Sequence, residues 1–448
     1  DLKDAALTVR RGTPEGNLIA VKADVTDLGT GAAKIQGEAN AQFDQNALTL
    51  GGFDIGPEIS VSGSALLTLK FKGSEAALDW SADLPLKPLE IAKADAFRKP
   101  AGVAGDLKAS GHWTPEEFTL VAGKLTVPGI VVTSQGKLRD KSGKFPGMTL
   151  AAKSARLEEV SKLVPALRDQ GLSGPTDITV RLKSSGDAVT ADATARVIDV
   201  DFRPKNAGWS LEGMAGALEA HGAVLEIPEL RGKLKSAVEG PITIKGRLEN
   251  FTSQEALTGR LAVHVGKGRI NPGQLKTLIS QANVLLGTLI DPQQKGDRAS
   301  PLEMDVATGT FQLGSGTART DDLTLKGPDV SVGAIGTIHL KSATLDAHMG
   351  IKTFTLIPSV VGNIPQVRRL MKEHEGLLKA LGVDKELKRL GIDSSEPTPG
   401  KPEQPAITKT PMTVMLKLNG PASAPNVTPV LEAALDRTMA ARLKSLIE

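Results

Sequence analysis

Residues 61–72 read VSGSALLTLKFK, and the order of apolar and polar side chains in this stretch decides the fold. Val61, Gly63, Ala65, Leu67, Leu69 and Phe71 fall on one phase and Ser62, Ser64, Thr68, Lys70 and Lys72 on the other, with Leu66 alone breaking the pattern. Successive side chains of a strand point to opposite faces, so a period of two predicts a β-strand with one apolar and one wet face. The period recurs in Ile178, Val180 and Leu182 against Thr179, Arg181 and Lys183, and in Ile242, Ile244, Gly246 and Leu248 against Thr243, Lys245 and Arg247. It returns near the end in Met412, Val414, Leu416 and Leu418.

Outward from these strands the chain shows a loose repeat: a Gly-led strand, a turn, a Leu-Thr run, an extended Val-x-Val-x-Gly run and a Gly-x-Leu-x-Leu strand. Copies begin near Gly37, Gly105, Gly216 and Gly309, as in GDLKASGHWTPEEFTLVAGKLTVPGIVVTSQGKL from Gly105. A unit of about three or four strands cannot bury an apolar face alone, so the copies are expected to stack into one continuous twisted sheet.

Helical spacing interrupts the strands at Leu157, Val160, Leu163, Val164 and Leu167, and again at Leu275, Leu278, Ile279, Ala282, Leu285 and Leu289, with Pro272 near the helix start. A charged amphipathic stretch runs from Ile364 to Leu390, and Ser394 to Pro411, with five prolines, reads as a linker or loop. The last element, roughly Pro429 to Ile447, is an expected helix with Leu431, Leu435, Met439 and Leu443 at spacing four. The organisation expected is strand repeats over 1–150, a helix then repeats over 151–270, a helical insertion over 271–300, a repeat over 301–363, the charged helix and linker over 364–411, and a final strand and helix over 412–448. The fold class is mainly β with a few amphipathic helices.

Composition narrows the function. Aromatic residues make up 3% with no Tyr, so the apolar surface is built from Leu, Val, Ile and Ala. The net charge of +3 comes from interspersed signs, which argues against nucleic acid as a partner. With no cysteine there is neither a disulfide framework nor a thiolate metal site. No run of 18 apolar residues exists; Thr277 to Ile290 is interrupted by Ser280, Gln281 and Asn283. The chain opens at Asp1 without an initiator Met or a signal-like region, so it is expected to be a piece of something longer whose membrane anchor lies outside it.

Chemistry is not visible. His112, His221, His264, His339, His348 and His374 are scattered, none in the spacing of a zinc-hydrolase helix, and His339 falls on the polar phase of its strand. No nucleophile elbow or phosphate-cradling loop is present; GKGRINPG at Gly266 to Gly273 reads as a strand-to-helix turn. Carboxylate neighbours such as Glu116-Glu117, Glu158-Glu159 and Asp321-Asp322 point apart on a strand and make no acid/base dyad. Trp80, Trp113 and Trp209 are too far apart in sequence to read as a stacking platform and are expected to fill a core or sheet edge. The chain therefore reads as non-enzymatic, with no catalytic residue, metal or cofactor.

The run PMTVMLKLNGPASAPNVTPVLEAAL, Pro411 to Leu435, resembles the ending of AsmA-like proteins, where a strand leads through a Gly-x4-Pro-x-Val-x-Pro segment into a helix; Gly420, Pro425, Val427 and Pro429 occupy that pattern. Leu323 to Pro365 is similar to the late strands and Ile-Pro turn of the same family. The resemblance covers roughly the latter two thirds and lacks the family's N-terminal domain. It implies the architecture of the AsmA, TamB and YhdP type of bridge-like lipid transfer protein: an extended, twisted, repeated antiparallel sheet curled into an elongated β-groove, or β-taco. It implies a periplasmic protein anchored to the inner membrane, carrying phospholipid acyl chains between inner and outer membrane as transported ligand and not as cofactor, with room for envelope partner proteins and no nucleic acid. The expected groove lining is Val61, Leu67, Leu69, Phe71, Ile178, Val180, Leu182, Ile242, Ile244, Leu248, Val332, Ile338, Leu340, Val414, Leu416 and Leu418. The alternative is a periplasmic scaffold or outer-membrane protein assembly factor that pairs client strands at its sheet edges.

Overall fold

The computed structural model describes residues 2–10, 17–27, 33–44, 59–93, 96–185, 188–205, 208–253, 255–270, 302–328, 330–356, 409–421, 425–430 and 435–448. The helices expected over 275–289 and 364–390 lie outside these residues, as does most of the proline-rich segment. The chain divides into two units, Asp1–Lys233 and Leu234–Glu448.

In the first unit the strands are β1 (Leu2–Arg10), β2 (Asn17–Thr26), β3 (Lys34–Phe43), β4 (Ile59–Ser62), β5 (Ala65–Ser74), β6 (Ala77–Pro85), β7 (Glu90–Lys93), β8 (Phe97–Lys99), β9 (Asp106–Trp113), β10 (Phe118–Val127), β11 (Ile130–Arg139) and β12 (Gly147–Arg156). Helix α1 (Leu157–Leu163) follows, then β13 (Leu172–Ser173), β14 (Pro175–Ser185), β15 (Ala188–Phe202), β16 (Ser210–His221) and β17 (Val224–Lys235), the last crossing into the second unit. The main sheet is an antiparallel meander, β1-β2-β3-β5-β6-β9-β10-β11-β12-β14-β15-β16. Short connections between antiparallel neighbours keep sequential strands adjacent in space.

Two details correct the sequence reading. Residues 61–72 are not one strand: Gly63, at φ +86°, ends β4, which pairs with β7 in a separate small sheet, while β5 joins the main one. A positive φ is what glycine permits at such a break. The helix expected over 157–167 stops at Leu163 and gives way to a 3-10 turn over Pro165–Gln170, because Pro165 has no N–H to continue the ladder.

The second unit holds β18 (Val238–Glu249), β19 (Thr258–Val265), β20 (Gly268–Ile270), β21 (Leu302–Met304), β22 (Val306–Gly314), β23 (Thr317–Lys326), β24 (Val330–His339), β25 (Thr344–Leu356), β26 (Lys409–Pro421), β27 (Asn426–Pro429) and helix α2 (Arg437–Ile447). Its meander runs β18-β19-β22-β23-β24-β25-β26-β27, with β20 pairing the start of β18 and β21 pairing β20. The described strands of neither unit close into a barrel. The expected C-terminal helix is described from Arg437, where the Asp436 side chain accepts from the Thr438 and Met439 amides and caps its start; Pro429 ends β27 instead, and residues 431–434, with Leu431, lie outside the described residues. The final strand begins earlier, at Lys409, and takes in the end of the segment read as linker.

Repeat copies from Gly105 and Gly309 each become a three-strand meander, β9-β10-β11 and β22-β23-β24. Both middle strands carry a bulge just before the Leu-Thr run, between Leu120 and Gly123 and between Thr320 and Leu323. In the second copy the Asp322 carboxylate accepts from the Thr310 amide at 2.6 Å and the Thr320 hydroxyl at 3.2 Å.

Candidate functional site

The register turns alternation along each strand into rows across the sheet. One row of the first unit reads Val21, Ala39, Leu69, Ala82, Ala109, Gly123, Ser134, Leu150, Val180, Ala193, Ala220, crossing eleven strands with only Gly123 and Ser134 interrupting the apolar side chains. Cross-strand neighbours on one face lie about 4.5–5.5 Å apart, so the row makes two greasy stretches, over β2 to β9 and over β12 to β16, separated by the Gly123 and Ser134 positions. Its apolar members are half-buried where a core would bury them fully, Gly123 alone in the row is buried, and β11 alternates half-buried and exposed over most of its length. Leu107 on the same face remains 38% exposed.

Among the expected lining residues, Leu67, Leu69 and Phe71 of β5 and Ile178, Val180 and Leu182 of β14 come together on this face. Val61 does not: on β4 of the small sheet it is buried in a cluster with Ala65, Leu84, Leu86 and Leu89. In the second unit Ile242 and Val332 share a row with Val265, Ala307, Leu325 and Ile351, and Ile244 and Leu248, further along β18, and Ile338, further along β24, are half-buried. Here the face is core in the ordinary sense: Ile242, Leu416 and Leu418 are buried, at 5%, 1% and 3% exposure. Leu340 sits in the turn after β24, its amide donating to the Gly316 carbonyl. Val414 pairs with Ile351, and its side chain lies outside the described residues.

Sequence reasoning missed an aromatic patch. Phe71, Trp80, Trp113 and Phe118 occupy four successive strands of the first unit, with Trp80 and Phe118 centroids 5.2 Å apart. The Phe71 ring lies over Gly37 and the Trp80 ring over Gly111, where a Cβ would come within 2.6 Å and 2.7 Å of them. Aromatics covering glycines on a neighbouring strand restore the packing the glycines lack. The signal was present as Gly at the register position opposite each ring, but register is invisible before strands are paired. Trp209 stands apart, edge-on to Phe202 at 5.4 Å.

The opposite face of the first unit is charged, with cross-strand pairs such as Lys108–Asp83 at 3.4 Å, His112–Asp79 at 2.9 Å and Lys183–Asp192 at 3.3 Å. Two concavities of about 710 Å³ and 570 Å³ are lined mainly by residues of this charged phase, with Ala82, Ala109, Gly123 and Ser134 of the stripe in the wall of the first and Phe71 and Trp80 in that of the second. Among the described residues no group of His, Cys, Asp and Glu could hold a metal, and no helix is long and apolar enough to cross a membrane.

Helix α2 packs against the second unit on the phase opposite the buried apolar row. Leu443 and Ile447 meet Met415 there, with Ile335, Leu435 and Met439 around them. Gly333 and Gly350 face each other across β24 and β25 and clear the seat; a Cβ on Gly333 would lie 2.6 Å from the Leu446 Cβ. Comparison with protein-family models, with curated proteins and with solved structures gives no match.

Proposed function

We propose that the chain is a non-enzymatic carrier that shelters phospholipid acyl chains against the apolar face of its sheet, in the manner of an AsmA-like bridge between the inner and outer membranes of a cell envelope. The observation that carries the reading is the stripe from Val21 to Ala220, which crosses eleven strands in register with apolar side chains on nine of them, each half-buried. Each methylene moved from water onto such a surface gains up to about 0.8 kcal/mol, so an acyl chain is held without any specific contact. A lining of Leu, Val and Ala offers no anchor along most of the row and suits sliding. The two concavities are lined mainly by the other phase, so sheltering has to come from the stripe and from a curl of the sheet into a groove. The resemblance of Pro411 to Leu435 to the end of AsmA-like proteins supports the same reading, and with it a periplasmic location.

Native mass spectrometry of the purified chain tests this. Phospholipid is expected to co-purify and to be lost in Leu69→Glu and Val180→Glu, both half-buried on the stripe, with the far-ultraviolet circular dichroism unchanged. Brominated acyl chains are expected to quench Trp80 in a Trp113→Phe, Trp209→Phe background. A lipid-free protein, or a lipid load indifferent to both variants, overturns the proposal. It would favour the second reading, a scaffold pairing client strands along β1, which pairs with β2 alone among the described strands.

A further inference from the structure

The charged face of the first unit is a ladder of alternating sign with one flaw. Across neighbouring strands Lys22 stands opposite Glu38, Glu38 opposite Lys70, Lys72 opposite Asp79, and Asp83 opposite Lys108. The next register pair is Lys108 opposite Lys124, two cations directly across from each other. Like charges so placed repel and destabilise the pairing. Lys108 leans to Asp83 at 3.4 Å, while Lys124 makes no ion pair among the described residues.

This flaw coincides with the larger concavity. The 710 Å³ hollow is lined by Lys70, Lys108 and Lys124 against the single carboxylate Asp83, so it carries an excess of positive charge. The adjoining 570 Å³ hollow sets Lys22, Lys70 and Lys72 against Asp24, Glu38 and Asp79 and is balanced. Ser81 and Ser110 line the first hollow beside the lysines, while the Thr68 and Thr133 hydroxyls of its wall donate to the Asn40 side-chain carbonyl and the Ala151 carbonyl. The bulge between Leu120 and Gly123 interrupts the ladder immediately before Lys124, where it bends the strand.

We propose that this hollow is a binding site for a phosphate-class oxyanion, held between the ammonium groups of Lys108 and Lys124 with hydroxyl donors around it. Two ammoniums carried on directly opposed positions converge on one tetrahedral anion, and charge-assisted hydrogen bonds from both replace their mutual repulsion with attraction. Lysine serves as a mobile point charge here, matching an anion whose remaining oxygens face solvent and hydroxyls. The phosphate is either free in solution or part of a lipid headgroup at a membrane surface. Because Lys108 and Lys124 belong to the phase opposite the apolar stripe, the site does not depend on the acyl-chain reading.

Titration calorimetry at low ionic strength with inorganic phosphate tests the site. The wild-type chain is expected to bind, with affinity falling as sodium chloride is added. Lys124→Ala is expected to weaken binding about tenfold, equivalent to about 1.4 kcal/mol. Lys124→Glu is expected to abolish it while raising the unfolding temperature, since a repulsive pair becomes attractive; co-purified lipid stays unchanged. Vesicles of phosphatidylglycerol, with phosphatidylcholine as the neutral control, separate the sources: capture that requires Lys124 assigns the site to headgroups, and phosphate binding without capture assigns it to a soluble phosphate. No heat from wild type with millimolar phosphate, or equal binding by Lys124→Glu, overturns the proposal.

Discussion

Lys99 shows how much a single side chain can conceal. It is 1% exposed, and its ammonium donates to the carbonyl oxygens of Leu86 at 2.6 Å, Leu89 at 2.9 Å and Pro100 at 3.3 Å. Three donors meet three acceptors, so the charge is solvated by backbone, and the Leu86–Leu89 turn is tied to β8. Replacing it by methionine keeps the stem but strands buried carbonyls, and Lys99→Met is expected to lower stability by about 2–4 kcal/mol in a urea titration. Burial pushes the Lys99 pKa below the usual 10.5. The unfolded chain then holds more protons than the folded one between the lowered value and 10.5, so stability contributed by this group rises with pH across that window. The rise is expected to vanish in Lys99→Met, as read from unfolding midpoints at successive pH values. Nothing in the sequence around FRKP distinguishes this lysine from its solvated neighbours, because burial of a cation depends on a turn ten and more residues away.

At the scale of elements the alternation in residues 61–72 predicted the strand character correctly and its continuity wrongly, since the period of two is blind to a glycine that changes sheets. The C-terminal helix was legible from Leu435, Met439 and Leu443, and its face was not. An amphipathic helix is expected on an apolar row, yet α2 sits where Gly333 and Gly350 leave room and Met415 and Ile335 break the polar phase. Gly333→Val fills that seat against Leu446. It is expected to loosen α2 without melting the strands, raising hydrogen exchange of the 437–447 amides by about 100-fold while those of β24 and β25 change far less. Equal acceleration in helix and strands would show that the helix and the sheet open as one unit.

Over the whole molecule, mainly β architecture with antiparallel pairing was legible because every long run keeps its period, as in Ile178–Lys183 and Ile242–Leu248. The expected lining was legible as a phase and not as an accessible surface: the same phase is half-exposed at Val180 and buried at Leu416. On the carrier reading proposed above, a surface that takes up lipid only when folded gains stability by mass action. Delipidated chain is expected to unfold at lower temperature than loaded chain, by the equivalent of about 2.7 kcal/mol at lipid one hundred times its Kd. The repeats give this surface a further property. Within β9-β10-β11 and β22-β23-β24 each strand pairs with its neighbour in the chain, so another such module could be inserted or removed with a change of partner only for the strands at its two edges. Three added strands widen a sheet by about 14 Å. The span of the apolar row is thereby a matter of counting modules, and duplication within a gene can set the length of the path without redesigning any part of it.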